Sequence, residues 1–251
     1  MTEADIIFWI LIAVSPFIGS FIGVVVRRYP KWEGVIAGRS RCESCGHDLG
    51  PSELVPFASW IALRGRCRHC GARIAPFHLY IEAAAIAVVW WASLVVSGWL
   101  LAATCFFGWM LLTLALIDWE HFRLPDAITL PLLVLGIGVS HRIDPGSMLD
   151  RVIAIAGGFF AFWLLGTLYR AARGRDGLGF GDAKLVAALG AWLSWVGLPT
   201  AVLYAAAMGL VAVLAASLRG RPVNATTRIP FGTFLAAGAW LVWLYGPLVA
   251  A

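Results

Sequence analysis

Charge is what this chain has least of. Only 13% of its 251 residues are Asp, Glu, Lys or Arg, against 61% hydrophobic ones, and the mean hydropathy is +0.83. That balance excludes an ordinary soluble domain and describes a polytopic membrane protein. Low-complexity tracts are missing, and the hydrophobic pattern shows no internal repeat. The first apolar stretch has no basic segment ahead of it, only Glu3 and Asp5, and no small-residue cleavage site behind it. It therefore reads as a retained span and not as a cleaved signal peptide.

What is there is a series of apolar stretches, at about 6–26, 79–98, 100–117, 126–140, 150–169, 183–197, 199–218 and 231–250. Several approach the ~20 residues a bilayer requires, while 126–140 and 183–197 are short. The expected fold is an all-α polytopic membrane protein of about eight transmembrane helices. With the first span running outside to inside, 17 of the 19 basic residues fall in inside loops, Arg175 and Arg221 among them, and only Arg142 and Arg151 fall outside. This is a strong positive-inside signal, which accounts for the +5 net charge without a nucleic-acid partner.

One stretch interrupts the apolar pattern. Residues 27–77 are polar, rich in Gly and Arg, and hold four of the five cysteines, as Cys42-Glu-Ser-Cys45 and Cys67-Arg-His-Cys70 with 21 residues between the pairs. The division expected is a first span over 1–26, a small cytoplasmic four-cysteine insertion over 27–78 and a seven-helix membrane core over 79–251. Paired CxxC knuckles suit a zinc-ribbon-like site in which four thiolates close a tetrahedral shell. Disulfides are the alternative, and the reducing side to which the charges assign the segment disfavours them. So small a segment needs a metal to fold, since its own apolar core is too little. His47 and His69 read as loop histidines, and Cys105 as a packing residue in an apolar span.

Two aspartates fall at the inside ends of spans. Asp118 follows the apolar run 111–117, at a helix end where a cation would suit the dipole better. Asp182 follows the glycine-rich Gly177-Leu-Gly-Phe-Gly181. On residue types alone Asp182 is either a helix N-cap or a functional carboxylate. Asp126, after Leu124-Pro125, reads as a cap and Glu120 as a solvated loop charge. Paired carboxylates that share a proton can hydrolyse a peptide, one activating water and the other assisting at the carbonyl oxygen.

Taken together, these residues resemble the type IV prepilin peptidases, bifunctional leader peptidases and N-methyltransferases of the GxGD class of intramembrane aspartyl proteases. The resemblance covers nearly the whole chain. It is carried by Gly19-Ser-Phe21, Arg28-Tyr-Pro30, the two cysteine knuckles, Pro56-Phe-Ala-Ser-Trp60, Glu82, Ile117-Asp-Trp-Glu-His-Phe-Arg-Leu-Pro-Asp126 and Gly177-Leu-Gly-Phe-Gly-Asp-Ala-Lys-Leu185. One position departs: the family usually has Asn where this chain has Gly23.

The resemblance implies catalysis by Asp118 and Asp182, and a zinc site at Cys42, Cys45, Cys67 and Cys70. It implies cleavage of prepilins or pseudopilins after the leader's glycine, at the cytoplasmic face of the bacterial inner membrane. Methylation of the new N-terminal residue by S-adenosylmethionine would follow, an activity that accompanies the cysteine domain. The region 27–82 has no Gly-rich nucleotide cradle. Glu82 is the candidate there for contact with the amine or the methyl donor, or else an interfacial carboxylate at a helix start. The competing functional classes are a transporter or channel with membrane carboxylates and an assembly scaffold that docks through its cysteine module.

Overall fold

The computed structural model describes residues 2–35, 38–174, 177–220 and 227–248, so Arg175 and Arg221 lie outside the described residues. Eight α-helices follow in order: α1 (Glu3–Arg28), α2 (Ala58–Ala62), α3 (Phe77–Ser93), α4 (Gly98–His121), α5 (Asp126–Ile143), α6 (Met148–Arg173), α7 (Phe180–Leu218) and α8 (Phe231–Tyr245). Among the described residues there is no strand, only two isolated bridges. Five helical segments are long and apolar enough to cross a membrane: α1, α4, α5, α6 with its preceding 3-10 turn, and α7. The apolar helices α3 and α8 are shorter. The chain divides into two compact units, Met1–Trp109 and Met110–Ala251.

In the first unit α1 packs along α3. The helix begins with a reciprocal cap, in which Asp5 N–H donates to the Thr2 hydroxyl and Thr2 N–H to the Asp5 carboxylate. The close crossing is set by two glycines. A Cβ on Gly19 would meet the Glu82 Cα at 2.6 Å, and one on Gly23 would overlap the His78 ring. The His78 imidazole lies against Gly23 and would have to shift to admit a side chain there.

In the second unit α7 is the central element, packed against α5, α6 and α8. The two apolar stretches 183–197 and 199–218 lie within its 39 residues, and the helix is interrupted at Ser194, whose backbone (φ 61°, ψ −177°) is not helical. Such a break orphans the last carbonyls of the first half. They are met from outside the helix: the Ser140 hydroxyl donates to Ala191 O at 2.7 Å, and the Arg151 guanidinium donates to the carbonyls of both Ala191 and Trp192. Arg151, unusual in so apolar a chain, is thus the C-terminal cap of a broken helix. Exchanging it for Met is expected to cost about 2 kcal/mol of stability, the scale of a charge-assisted hydrogen bond, measured by unfolding in detergent.

Small residues allow these helices to approach. A Cβ on Gly190 would lie 2.7 Å from the Ala154 backbone, and one on Gly136 would lie 2.6 Å from the Trp192 indole. The Trp192 N–H in turn donates to Leu132 O at 2.9 Å. Close backbone approach through small side chains is how helices pack where lipid removes the hydrophobic incentive.

Candidate active sites and metal centre

Asp118 is not in a loop. α4 runs one turn beyond the apolar stretch 100–117, to His121, and α5 starts at Asp126, so only residues 122–125 connect them. Asp118 is buried, at 5% exposure. Its placement at the wrong end of its own helix dipole has a specific remedy. Its Oδ2 accepts the Thr233 N–H at 2.9 Å, and the Gly232 N–H is directed at the same carboxylate. These are orphan donors in the first turn of α8, so the carboxylate sits at the positive end of another helix. The Thr233 hydroxyl reaches the Ala115 carbonyl at 2.9 Å and Asp118 Oδ2 at 3.5 Å.

Asp182 occupies the third position of α7, and its Oδ2 accepts the Gly179 N–H at 2.9 Å. It is not the N-cap, a position held by Gly179, and its bond to that residue's N–H leaves carboxylate capacity to spare, since an ionised carboxylate can accept about four hydrogen bonds. The two carboxylates are close enough to interact electrostatically. One side chain ties their surroundings together. A Cβ on Gly181 would lie 3.2 Å from Leu124, and one on Gly232 would lie 3.0 Å from both Leu124 and Asp118 Oδ2. Each aspartate thus receives backbone N–H groups from a helix N-terminus, an arrangement suited to stabilising one negative charge over the pair. Gly232→Ala is expected to displace the Asp118 carboxylate and lower cleavage about tenfold with the protein still folded; helical circular dichroism together with a cleavage assay checks this.

The reading of Asp126 as a cap is corrected. It stands at the first position of α5 behind Pro125, with no capping hydrogen bond, and instead accepts both contacts from Lys184 Nζ, at 2.8 and 2.7 Å. Lys184 also lies over the Phe180 ring, so the first turn of α5 and the second turn of α7 are joined by an ion pair two residues beyond Asp182. Glu120 is exposed on the last turn of α4, with His121 at 3.9 Å. Cys105 is fully buried in α4. Sequence reasoning missed Gly232 and Thr233, although Pro230-Phe-Gly-Thr233 directly before an apolar helix is a recognisable start signal. It missed Lys184 as well.

The four cysteine sulfurs lie within 4.8 Å of one another. The Cys42 and Cys70 sulfurs are 3.8 Å apart, the edge expected of a tetrahedron with Zn–S bonds of about 2.3 Å. The two knuckles repeat the same backbone pattern. Cys42 N–H donates to His47 O and Gly46 N–H to Cys42 O, while Cys67 N–H donates to Ala72 O and Gly71 N–H to Cys67 O. Gly46 and Gly71 both adopt left-handed backbone, φ 70° and 71°, which glycine enters without strain. The N–H groups of Cys45 and Ser44 point at the Cys42 sulfur and pull its thiol down to about 6, while the Cys45 thiol beside it is pushed up to about 11. The donor set fits zinc. The His47 and His69 rings stack on each other at 4.6 Å.

Glu82 is on the second turn of α3 and is buried, at 5% exposure. Its Oε2 accepts the Phe57 N–H at 2.9 Å, and its carboxylate also engages the Ser20 side chain. It lines a cavity of about 330 Å³ within the first unit, which Cys42 and Cys67 line as well.

Residues 105–214 match the model of the type IV leader peptidase family, and residues 13–96 match the bacterial peptidase A24 N-terminal domain. A prepilin leader peptidase/N-methyltransferase of Pseudomonas aeruginosa is 32% identical, over 94% of this chain and 89% of its own length. Proteins of the same name from Burkholderia pseudomallei and Aeromonas hydrophila are 39% and 34% identical, over 94% and 95% of this chain and 84% and 91% of theirs. No solved structure matches the chain significantly. With two family models on successive segments and similarity along almost its full length, the chain belongs to the type IV leader peptidase family.

Proposed function

We propose that this protein is an intramembrane aspartyl endopeptidase that removes the leader from type IV prepilins or pseudopilins and then N-methylates the new N-terminal residue with S-adenosylmethionine. The observation that carries the peptidase reading is the pair Asp118 and Asp182, each held by helix-terminal N–H groups and each a neighbour of Leu124 through its glycine. Two adjacent carboxylates cannot both ionise cheaply, so the pair holds one proton between them. The ionised member takes a proton from water as the oxygen attacks the scissile carbonyl; the protonated member donates to the carbonyl oxygen. A transporter would need those carboxylates along a pore, and the family to which the chain belongs acts instead as leader peptidases.

We place both the aspartate pair and the four-cysteine module on the cytoplasmic side of a bacterial inner membrane, on the strength of the basic-residue asymmetry. Eight crossings satisfy that asymmetry once α7 is counted twice, with its break at Ser194, and the shorter α3 and α8 are counted as spans. Cys42, Cys45, Cys67 and Cys70 hold a structural Zn2+, and Glu82 contacts the amine or the methyl donor. Substrate is held by its own apolar N-terminal helix in the same bilayer. The test is processing of a prepilin in proteoliposomes followed by intact-mass analysis. Loss of the leader with gain of one methyl group is the expected result, and an uncut substrate with folded, zinc-loaded enzyme would overturn the reading.

A further inference from the structure

One stretch of the cysteine module does not share its polar composition. Leu54-Val-Pro-Phe-Ala-Ser-Trp-Ile-Ala-Leu63 carries no charge and contains α2. It is apolar on two faces. Pro56 is buried, and Phe57, Trp60 and Leu63 are half-buried against the rest of the first unit. Leu54, Val55 and Ile61 point the other way, at 42%, 41% and 63% exposure, with Ala58 and Ala62 exposed beside them. A helix that is apolar all round is ordinarily covered all round, yet this stretch is too short to cross a bilayer, which takes about 20 residues.

The outward face is held in place. Phe57 before α2 and Arg64 just after it both have positive φ, 55° and 51°, a region such residues seldom enter. Strained backbone persists only where its surroundings fix it. Here Ile61 N–H donates to Phe57 O at 2.9 Å, Gly65 N–H donates to Trp60 O at 2.8 Å, and Phe57 N–H donates to Glu82 Oε2 at 2.9 Å. The last bond also sets a depth, because Glu82 is on the second turn of α3. Tyr80, at the same end of α3, is 68% exposed, as suits a ring at a membrane–water boundary. Directly after the apolar stretch come Arg64, Arg66 and Arg68, all exposed and without an ion pair among the described residues.

Resting on the reading of α3 as a span, we propose that residues 54–68 are a membrane-surface anchor for anionic phospholipids. Leu54, Val55 and Ile61 enter the headgroup layer beside α3, and Arg64, Arg66 and Arg68 meet the lipid phosphates. An apolar face bordered by cations is how interfacial helices bind a bilayer, and each basic residue near an anionic leaflet adds to the attraction. A second copy of this chain would fit less well, since a self-complementary contact brings the same three guanidinium groups to both sides. An apolar pilin helix offers those cations no partner. A lipid surface answers both halves of the patch, and it ties the cysteine module to the bilayer by its own face as well as through α1 and α3.

Photolabelling of the full chain in nanodiscs tests this, with zinc content and helical circular dichroism as checks on folding. One set of discs is phosphatidylcholine alone and the other a mixture with phosphatidylglycerol, each doped with a phospholipid that carries a diazirine near the top of its acyl chain. Irradiation should label the peptide 54–63 of the wild type, about fivefold more in the anionic discs, the effect of one basic residue at such a surface. Arg64→Gln combined with Arg66→Gln and Arg68→Gln should abolish that difference. Equal labelling of the wild type in the two kinds of disc, or cross-linking of 54–63 to a second copy of the chain, would overturn the proposal. Label on 77–93 with none on 54–63 would overturn it and leave α3 a span, whereas label on neither would overturn the span reading as well.

Discussion

Asp118→Asn and Asp182→Asn are each expected to slow leader removal about a thousandfold, within the range of a lost general acid or base. The substitution is chosen because it leaves the local structure intact. An asparagine Oδ1 still accepts the Thr233 N–H that Asp118 now accepts, and asparagine at the third position of α7 still accepts the Gly179 N–H. Folding is therefore retained, and the loss falls on the chemistry. With one neutral amide in the pair, no member can take a proton from water while its neighbour gives one to the carbonyl oxygen. The readout is single-turnover cleavage of a prepilin in proteoliposomes, with helical circular dichroism showing that the bundle survives.

The second large effect is loss of the metal. Cys67 is buried, at 4% exposure, and its knuckle repeats that of Cys42 bond for bond. Among the described residues of the segment no apolar core of comparable size holds it, so binding energy and folding energy are the same quantity, on the order of 10 kcal/mol for a structural zinc site. Cys67→Ser, or exhaustive chelation, should remove zinc to background by elemental analysis and open residues 38–76 to protease. Because Cys42 and Cys67 both line the cavity beside Glu82, donor binding should disappear with the metal. Retention of zinc at one ion per chain in Cys67→Ser would contradict the four-thiolate site.

Much of this was legible because the signals are chemical. Two CxxC pairs specify a tetrahedral donor set at any reasonable loop length, and the sulfurs do converge. An aspartate behind a seven-residue apolar run interrupted only by Thr113 is conspicuous whatever surrounds it. The helix ends were less legible, since α4 carries Asp118-Trp-Glu-His121 as one more helical turn, and a polar tetrapeptide at the end of an apolar run reads as a loop. Asp126 was misread for a related reason: its partner Lys184 lies 58 residues away, and local spacing prefers a local explanation. The support for Asp118 was invisible for the same cause. Thr233 is 115 residues further on, and no sequence pattern says that the start of α8 will meet the end of α4. The break at Ser194 gave no signal of its own. It lies near the junction of two apolar stretches, but the Arg151 that caps it was counted only as a topological charge.

The central claim is that Asp118 and Asp182 act as one unit, and a double-mutant cycle tests it most directly. Cleavage rates are measured for the wild type, Asp118→Asn, Asp182→Asn and the double variant, all in the same proteoliposomes with the same prepilin. The account predicts that the double variant is no slower than the slower single variant, because either substitution already disables the shared-proton pair. Losses that multiply, with the double variant slower by the product of the two single effects, would contradict it and assign the aspartates independent roles.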